Sequence, residues 1–407
     1  MPREADRLTA LSAFTGLGGL DLGLEAAGFH HVGCIEKDDT ARRSLKQNRG
    51  ESWPLLEPGD ISVLARTLTP GQLGLKQGEL SVLAGGPPCQ PFSKAAQWSA
   101  SARTGLEDVR SHCLRDFLHL VEIFLPHVVL IENVAGFVQG PVSALVEIER
   151  ALKGINQRQG TQYSAGRRIV DAADYGVPQN RQRAIIIMSR EGQEPTWPRA
   201  SHADNPICAW DAIGRIEVPN APKAVGKWAD LLPSIPEGEN YLWHTRNGGG
   251  RPLFGYRTRF WSFLLKLAKD QPSWTLPAQP GPSTGPFHWD NRPLVIPELL
   301  RLQSFRADWV VEGAHREQVR QVGNATPPRL AEAVSRAIAS TYFGASFKGQ
   351  RLRHHIPRAE SIPKPTPTRP VPAEYVNLVG KHADHPGAGK GPSPRSRADE
   401  LALKGTS

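Results

Sequence analysis

Cys89 stands in the run Gly85-Gly86-Pro87-Pro88-Cys89-Gln90-Pro91-Phe92-Ser93. The prolines fix the backbone and the glycines let it approach a ligand closely, so the thiol is offered on a stiff loop. A solitary cysteine is more often a small buried hydrophobe. Neither Pro88 nor Gln90 belongs to an apolar face, which argues against that here. A second segment, Ile131-Glu132-Asn133-Val134, puts a carboxylate just past an apolar run over 128–131. Partial desolvation there would raise its pKa and let it carry a proton near neutrality. A capping or ion-paired glutamate is the other reading. In Gln179-Asn180-Arg181-Gln182-Arg183, alternate residues of an extended segment point the same way, so Gln179, Arg181 and Arg183 share a face. Two guanidiniums aimed together suit a phosphate or a base carbonyl; a surface ladder of ion pairs is the plainer alternative.

A fourth segment, Phe14-Thr15-Gly16-Leu17-Gly18-Gly19-Leu20-Asp21, follows the first apolar run. Its glycines allow a tight turn against a ligand, and a following helix would offer free N–H groups. A dinucleotide fingerprint would need glycine where Asp21 stands. Glu36 lies 20 residues beyond Gly16, where a carboxylate can accept both ribose hydroxyls of an adenosine-type cofactor. Asp60-Ile61, after a further turn, is placed to cover the adenine.

The elements that would hold these residues alternate. Strands are expected at 8–14, 31–36, 80–85, 128–134 and 184–188, and helices at 20–27, 40–47, 114–124 and 142–153. Strand-helix alternation implies an open, mostly parallel sheet with helices on both faces, binding ligands at the carboxyl ends of its strands. After Arg190 the character changes. Seven of the ten tryptophans (Trp197, Trp210, Trp228, Trp243, Trp261, Trp274 and Trp289) fall in a Pro- and Gly-rich stretch of weak periodicity, read as a separate irregular module with its own small core. A helix resumes at 329–339. From 346 to 407 the chain is basic and Pro-rich, with a net +5 from Arg351 onward, and is expected to be disordered.

The net charge of +9 favours a polyanionic partner. Cys34, Cys89, Cys113 and Cys208 form no C-x-x-C pair, which argues against a structural zinc site and a disulfide framework, so no metal is expected. A reducing, cytoplasmic setting fits. Neither a membrane-spanning run nor a signal peptide is expected.

In this order, the segments resemble the DNA (cytosine-5)-methyltransferase family from residue 8 to about 339. Arg292-Pro293-Leu294 through Leu302-Gln303-Ser304-Phe305, and Gly323-Asn324-Ala325-Thr326-Pro327-Pro328, extend the resemblance. One departure is Pro297, where relatives commonly have arginine before the glutamate. The resemblance implies an α/β fold: a Rossmann-like S-adenosylmethionine-dependent methyltransferase domain with a smaller, irregular target-recognition domain. It implies a catalytic domain at 1–190, recognition at 191–313, a segment returning to the catalytic domain at 314–345, and the tail at 346–407.

The implied roles follow. Cys89 attacks C6 of a flipped cytosine in double-stranded DNA, Glu132 engages N3 and the amine, and Arg183 with Arg181 holds O2. Phe14, Gly16, Gly18, Gly19, Glu36, Asp60, Ile61, Pro88 and Asn324 bind the S-adenosyl-L-methionine. The stretch Arg246-Asn247-Gly248-Gly249-Gly250-Arg251, with Arg257 and Arg259, is suited to reach base edges. A monomer in a restriction-modification setting is expected, with room for a cognate endonuclease acting separately. The alternatives are an RNA (tRNA) cytosine methyltransferase on the same scaffold and a non-catalytic, cofactor-dependent nucleic-acid binder.

Overall fold

The computed structural model describes residues 7–88, 109–139 and 143–379. Cys89 lies outside the described residues. Apolar runs build a six-stranded sheet from β1 (Thr9–Ala13), β2 (His30–Ile35), β3 (Val82–Gly85), β4 (Val128–Val134), β5 (Ser164–Asp171) and β6 (Gln182–Ser189). Its order is β2-β1-β3-β4-β6-β5. The first four strands in that order are parallel, but β6 runs antiparallel to both β4 and β5. The sheet is therefore mixed at one side, and β5 is a strand that hydrophobic patterning did not reveal. It is a half-exposed edge carrying Arg167 and Arg168, so it lacks the continuous apolar run of a buried strand.

Side-chain alternation divides the core. Leu83, Val129, Ile131, Ile186 and Met188 pack under α3 (Ile61–Thr67), α4 (Val109–Phe124) and α5 (Leu145–Gln159). Val82, Ala84, Val128, Leu130, Ile185 and Ile187 face the other way, toward α1 (Gly19–Ala26) and α9 (Pro328–Phe343). The helix α2 (Asp39–Arg49) follows β2. The helices α1 and α9 approach closely, because a Cβ on Gly23 would lie 2.4 Å from Ala331.

The stretch after Arg190 contains only one short α-helix before residue 296, α6 (Ala209–Ile213). Its aromatics form a core around Trp228, Tyr241, Phe254 and Phe263. A second core is shared. Ile207, Leu267 and Trp289 pack with residues of α7 (Ile296–Leu302) and α8 (His315–Asn324), and with Leu17, Leu45 and Trp53 of the sheet domain. Pro297 occupies the first turn of α7, where a missing N–H costs nothing. The brace it adjoins is intact: Arg292 donates to both oxygens of the fully buried Glu298, at 2.9 and 2.7 Å.

The expectation of disorder from 346 onward does not hold for 346–379. Ile356 and Tyr375 are 1% and 3% exposed, and the segment runs through backbone hydrogen bonds to acids elsewhere in the chain. No helix among the described residues is long and apolar enough to cross a membrane.

Candidate functional site

The parallel register places four strand tips on one line. Ala13 pairs with Ile35 and Gly85, and Gly85 pairs with Ile131. Phe14, Glu36, Gly86 and Glu132 are each the next residue, so all four emerge at the carboxyl edge where open α/β sheets bind ligands. The antiparallel β6 starts at that same edge. Its Arg183 pairs with Val134 and Ile185 with Glu132, which sets Arg183 and Glu132 diagonally on one face.

Glu132 and Arg183 are 7% and 9% exposed, and Arg183 Nε lies 2.9 Å from Glu132 Oε1. The contact is an ion pair outside hydrogen-bonding geometry, and Oε1 has no hydrogen bond among the described residues. Gly86 sits against this carboxylate: a Cβ there would be 3.6 Å from Glu132 Oε2. The neighbouring Asn133 donates from Nδ2 to the Pro87 carbonyl at 2.8 Å. One strand end thus presents an acid and ties down the loop that leads to Cys89. Pro88 is exposed at the last described position of that loop. Asn133 was named in its motif but given no task; its place directly after Glu132, opposite a proline-rich loop, was the available signal.

The two arginines part company. Arg181 is 2% exposed and donates from Nη2 to the carbonyls of Gly323 at 2.7 Å and Ala325 at 3.1 Å. From Nη1 it reaches Gln179 Oε1 at 3.4 Å, and Gln179 in turn donates to the Leu302 carbonyl. Arg181 therefore braces the turn between α8 and α9, while Arg183 meets Glu132. The cause is local: Arg181 lies just before β6, where orphan carbonyls at the end of α8 need donors.

At the other end of the line, Gly16 N–H donates to Glu36 Oε2 and Asp38 N–H to Glu36 Oε1, each at 2.7 Å. Burial pushes the Glu36 carboxyl above its ordinary 4.5, against the pull of those N–H groups. The turn reaches α1 through Gly18 at φ 83°, where an L side chain would be strained and would strike Trp53. Gly19 lies beneath the Thr326 carbonyl, and a Cβ there would be 1.9 Å from that oxygen. Asp21, in α1, is fully buried and its Oδ1 is 3.1 Å from His31 Nε2, so it serves the interior. Phe14 takes φ 57° and its ring is tilted against Phe117 at 6.4 Å.

Asp60 caps α3 through Ser62 N–H at 3.0 Å and pairs with Lys37 Nζ at 2.7 Å. The Lys37 hydrogen bond holds its carboxyl below the usual range. Ile61 is 5% exposed within the core under the sheet, so its side chain is not the free apolar cover expected for an adenine. As the first apolar residue of α3 it is drawn inward. Asn324 is exposed at the end of α8, one residue from both carbonyls that hold Arg181. Backbone left open at Gly16, beside a carboxylate whose two oxygens are already oriented, fits a ligand carrying vicinal hydroxyls.

The model of the family described as C-5 cytosine-specific DNA methylase matches residues 8–340. The chain is 33% identical over 370 residues to Type II methyltransferase M.SacI of Streptomyces achromogenes, covering 81% of this chain and 92% of the relative. It is 30% identical over 353 residues to Type II methyltransferase M1.HphI of Haemophilus parahaemolyticus, covering 81% and 86%. Among solved structures, the fold is similar to Entamoeba histolytica methyltransferase EhMeth, with a TM-score of 0.55, 16% identity and coverage of 82% and 98%. Spodoptera frugiperda DNMT2 also has a TM-score of 0.55, at 14% identity with coverage of 81% and 99%.

Proposed function

The chain belongs to the C-5 cytosine-specific DNA methylase family and is a DNA (cytosine-5)-methyltransferase, and from that premise we propose how its residues divide the work. The substrate is a cytosine flipped from a specific duplex sequence, and the setting is host-DNA modification, as for the Type II methyltransferases it resembles. The observation that carries the assignment is the buried Glu132–Arg183 pair beside the loop that Asn133 ties down. An acid and a cation then meet at one sheet edge, beside the segment that continues in sequence to Cys89.

In this reading the Cys89 thiolate adds to C6 of the ring. Glu132 holds the proton at N3 and so draws the added charge out of the ring, while Arg183 fixes O2. C5, now enamine-like, takes the methyl group, a base removes the C5 proton, and the C6–Sγ bond breaks to return the thiolate. S-adenosylmethionine supplies that methyl group as a sulfonium electrophile. Glu36 would hold its ribose, Asp60 its adenine edge with the backbone of Ile61, and Phe14, Gly16, Gly18, Gly19, Pro88 and Asn324 the remainder. Arg181 acts through the turn it braces.

Extruding a base costs a few kcal/mol, on the order of 2–4, and needs a grip on the flanking duplex. Arg246, Arg251 and Arg257 are exposed on the recognition module and suit phosphates or base edges. We assign the domains as 1–190 catalytic, 191–313 recognition and 314–345 returning. The test is covalent trapping on duplex DNA containing 5-fluorocytosine with cofactor present. A Cys89-dependent adduct, absent in Cys89→Ser, is expected; methyl transfer confined to tRNA would overturn the reading.

A further inference from the structure

The family match ends at residue 340, yet 346–379 is tied into the molecule along its length. It begins on α9. Glu332, fully buried, accepts from Arg353 N–H at 2.8 Å and His354 N–H at 3.1 Å. Arg336, one turn on, donates to the carbonyls of Gln350 and Arg351. Ile356 then enters the core shared between sheet domain and recognition module.

From there the segment crosses to the module. Ala359 N–H donates to Asp211 Oδ1 at 2.7 Å, and Arg358 reaches the Asn205 and Pro206 carbonyls. Thr366 N–H donates to Glu237 Oε1 at 2.9 Å, on a carboxylate already paired with Lys269 at 2.5 Å. Arg369 N–H donates to the Pro233 carbonyl at 2.8 Å. Tyr375 ends the run, stacked on Trp228 with centroids 5.7 Å apart, its hydroxyl donating to the Lys227 carbonyl at 3.0 Å.

Three features separate this from a tail resting on a surface. The acceptors Glu332, Asp211 and Glu237 have side chains 0, 3 and 3% exposed, so removing the segment takes hydrogen bonds from buried carboxylates. The bonds come from backbone N–H groups, so they depend on the path of the chain more than on its side chains. Pro357, Pro363, Pro365, Pro367, Pro370 and Pro372 stiffen that path and lower the entropy lost in ordering it. The module also meets the catalytic side through the core it shares with Leu17, Leu45 and Trp53 and through a bridge between Gln179 and Ser273, and the strap adds further ties at Asp211, Glu237 and Trp228.

We propose that residues 351–379 are a positioning strap that fixes the recognition module relative to the catalytic sheet, and thereby sets affinity and sequence fidelity for the target duplex. This rests on the methyltransferase reading above. The strap touches neither Glu132 nor Arg183, so it acts through the module's pose.

The test compares the full chain, the double variant Thr366→Pro/Tyr375→Ala, and a chain ending at residue 350 with and without a synthetic 351–379 peptide. In the double variant, KM for a target duplex is expected to rise about 10-fold while kcat stays within about twofold. Cofactor affinity should be unchanged, and methylation should spread to near-cognate sites. The truncated chain should show the same split more strongly, with the peptide restoring the low KM. Amide exchange should quicken over 228–254 and 207–213 in both altered chains. If the double variant keeps its KM, fidelity and exchange pattern, the strap is overturned. Parallel loss of kcat, cofactor binding and KM also overturns it, since that marks general unfolding. A full chain that never methylates DNA would sink the functional reading instead, and the exchange comparison would still decide the strap.

Discussion

Arg183 and Glu132 face each other across an antiparallel strand pair inserted beside a parallel sheet, with Nε 2.9 Å from Oε1. Because β6 runs backward, its beginning coincides with the carboxyl edge of the parallel strands. Each partner is buried, and neither can be lost without consequence for the other. Glu132→Gln keeps the shape but removes the acid, so kcat should fall by about 10²–10⁴ with cofactor binding retained. Arg183→Ala leaves a buried carboxylate unpaired and should also destabilise the fold by about 3–5 kcal/mol. Single-turnover methylation and urea unfolding of the two variants separate these effects. Equal stability loss in both would argue that the pair is only structural.

Gly19→Ala tests the closeness of α1 to the turn before α9. The added Cβ would meet the Thr326 carbonyl, a backbone atom that cannot rotate away, so α1 or the turn must shift. A cost of about 1–3 kcal/mol is expected, as for other overpacked sites. Calorimetric titration should find weaker cofactor binding, since the same shift moves the Gly16–Glu36 contact. An unchanged melting temperature would show that the turn yields freely.

Glu36 gives a pH signature. Its ionised form is the one that accepts ribose hydroxyls, and burial raises its pKa above 4.5 in the folded chain. Cofactor affinity should therefore weaken as pH falls between about pH 7 and pH 4, with its onset above the range of an ordinary glutamate. The sign for stability is opposite: the folded state binds the proton more readily, so protonating Glu36 favours folding in that window. Glu36→Gln should flatten the pH dependence and bind weakly throughout. Titration calorimetry across the range checks both; a wild-type profile unaltered by the substitution would remove Glu36 from the site.

How much of this was readable beforehand depended on where the partners lie. The β4 boundaries agree with expectation at both ends because 128–131 is a buried apolar run followed by the motif residues. Short α3 and polar β5 carried too little periodicity to be read. Glu132 and Arg183 were legible as residues, but their pairing was not, since it needs the reversed direction of β6. The bracing role of Arg181 was not legible, because the carbonyls it holds, at 323 and 325, are more than a hundred residues away. The strap was misread for the same reason. Proline-rich, basic sequence has few apolar residues to bury, and the acids at 211, 237 and 332 that order it are distant in the chain.

In the stretch after Arg190, Trp228 and Trp289 lie in the core, at 9% and 5% exposed. Trp261 departs from them at 54% exposed, packed edge-on to Trp274 with centroids 5.6 Å apart. Trp274 follows Ser273, which bridges to Gln179, and Thr275 donates to the Asn180 carbonyl at 2.7 Å. The exposed ring is thus connected, through one aromatic neighbour, to the segment that delivers Arg183. Such a surface suits stacking on an unpaired base, worth about 1–3 kcal/mol. Trp261→Ala should weaken duplex binding by about 5- to 100-fold, with cofactor affinity and melting temperature unchanged. Trp261→Phe should recover most of the loss, because it keeps a stacking face. Fluorescence of 2-aminopurine at the target position would read extrusion directly, and full extrusion by the alanine variant at saturating protein would confine Trp261 to docking.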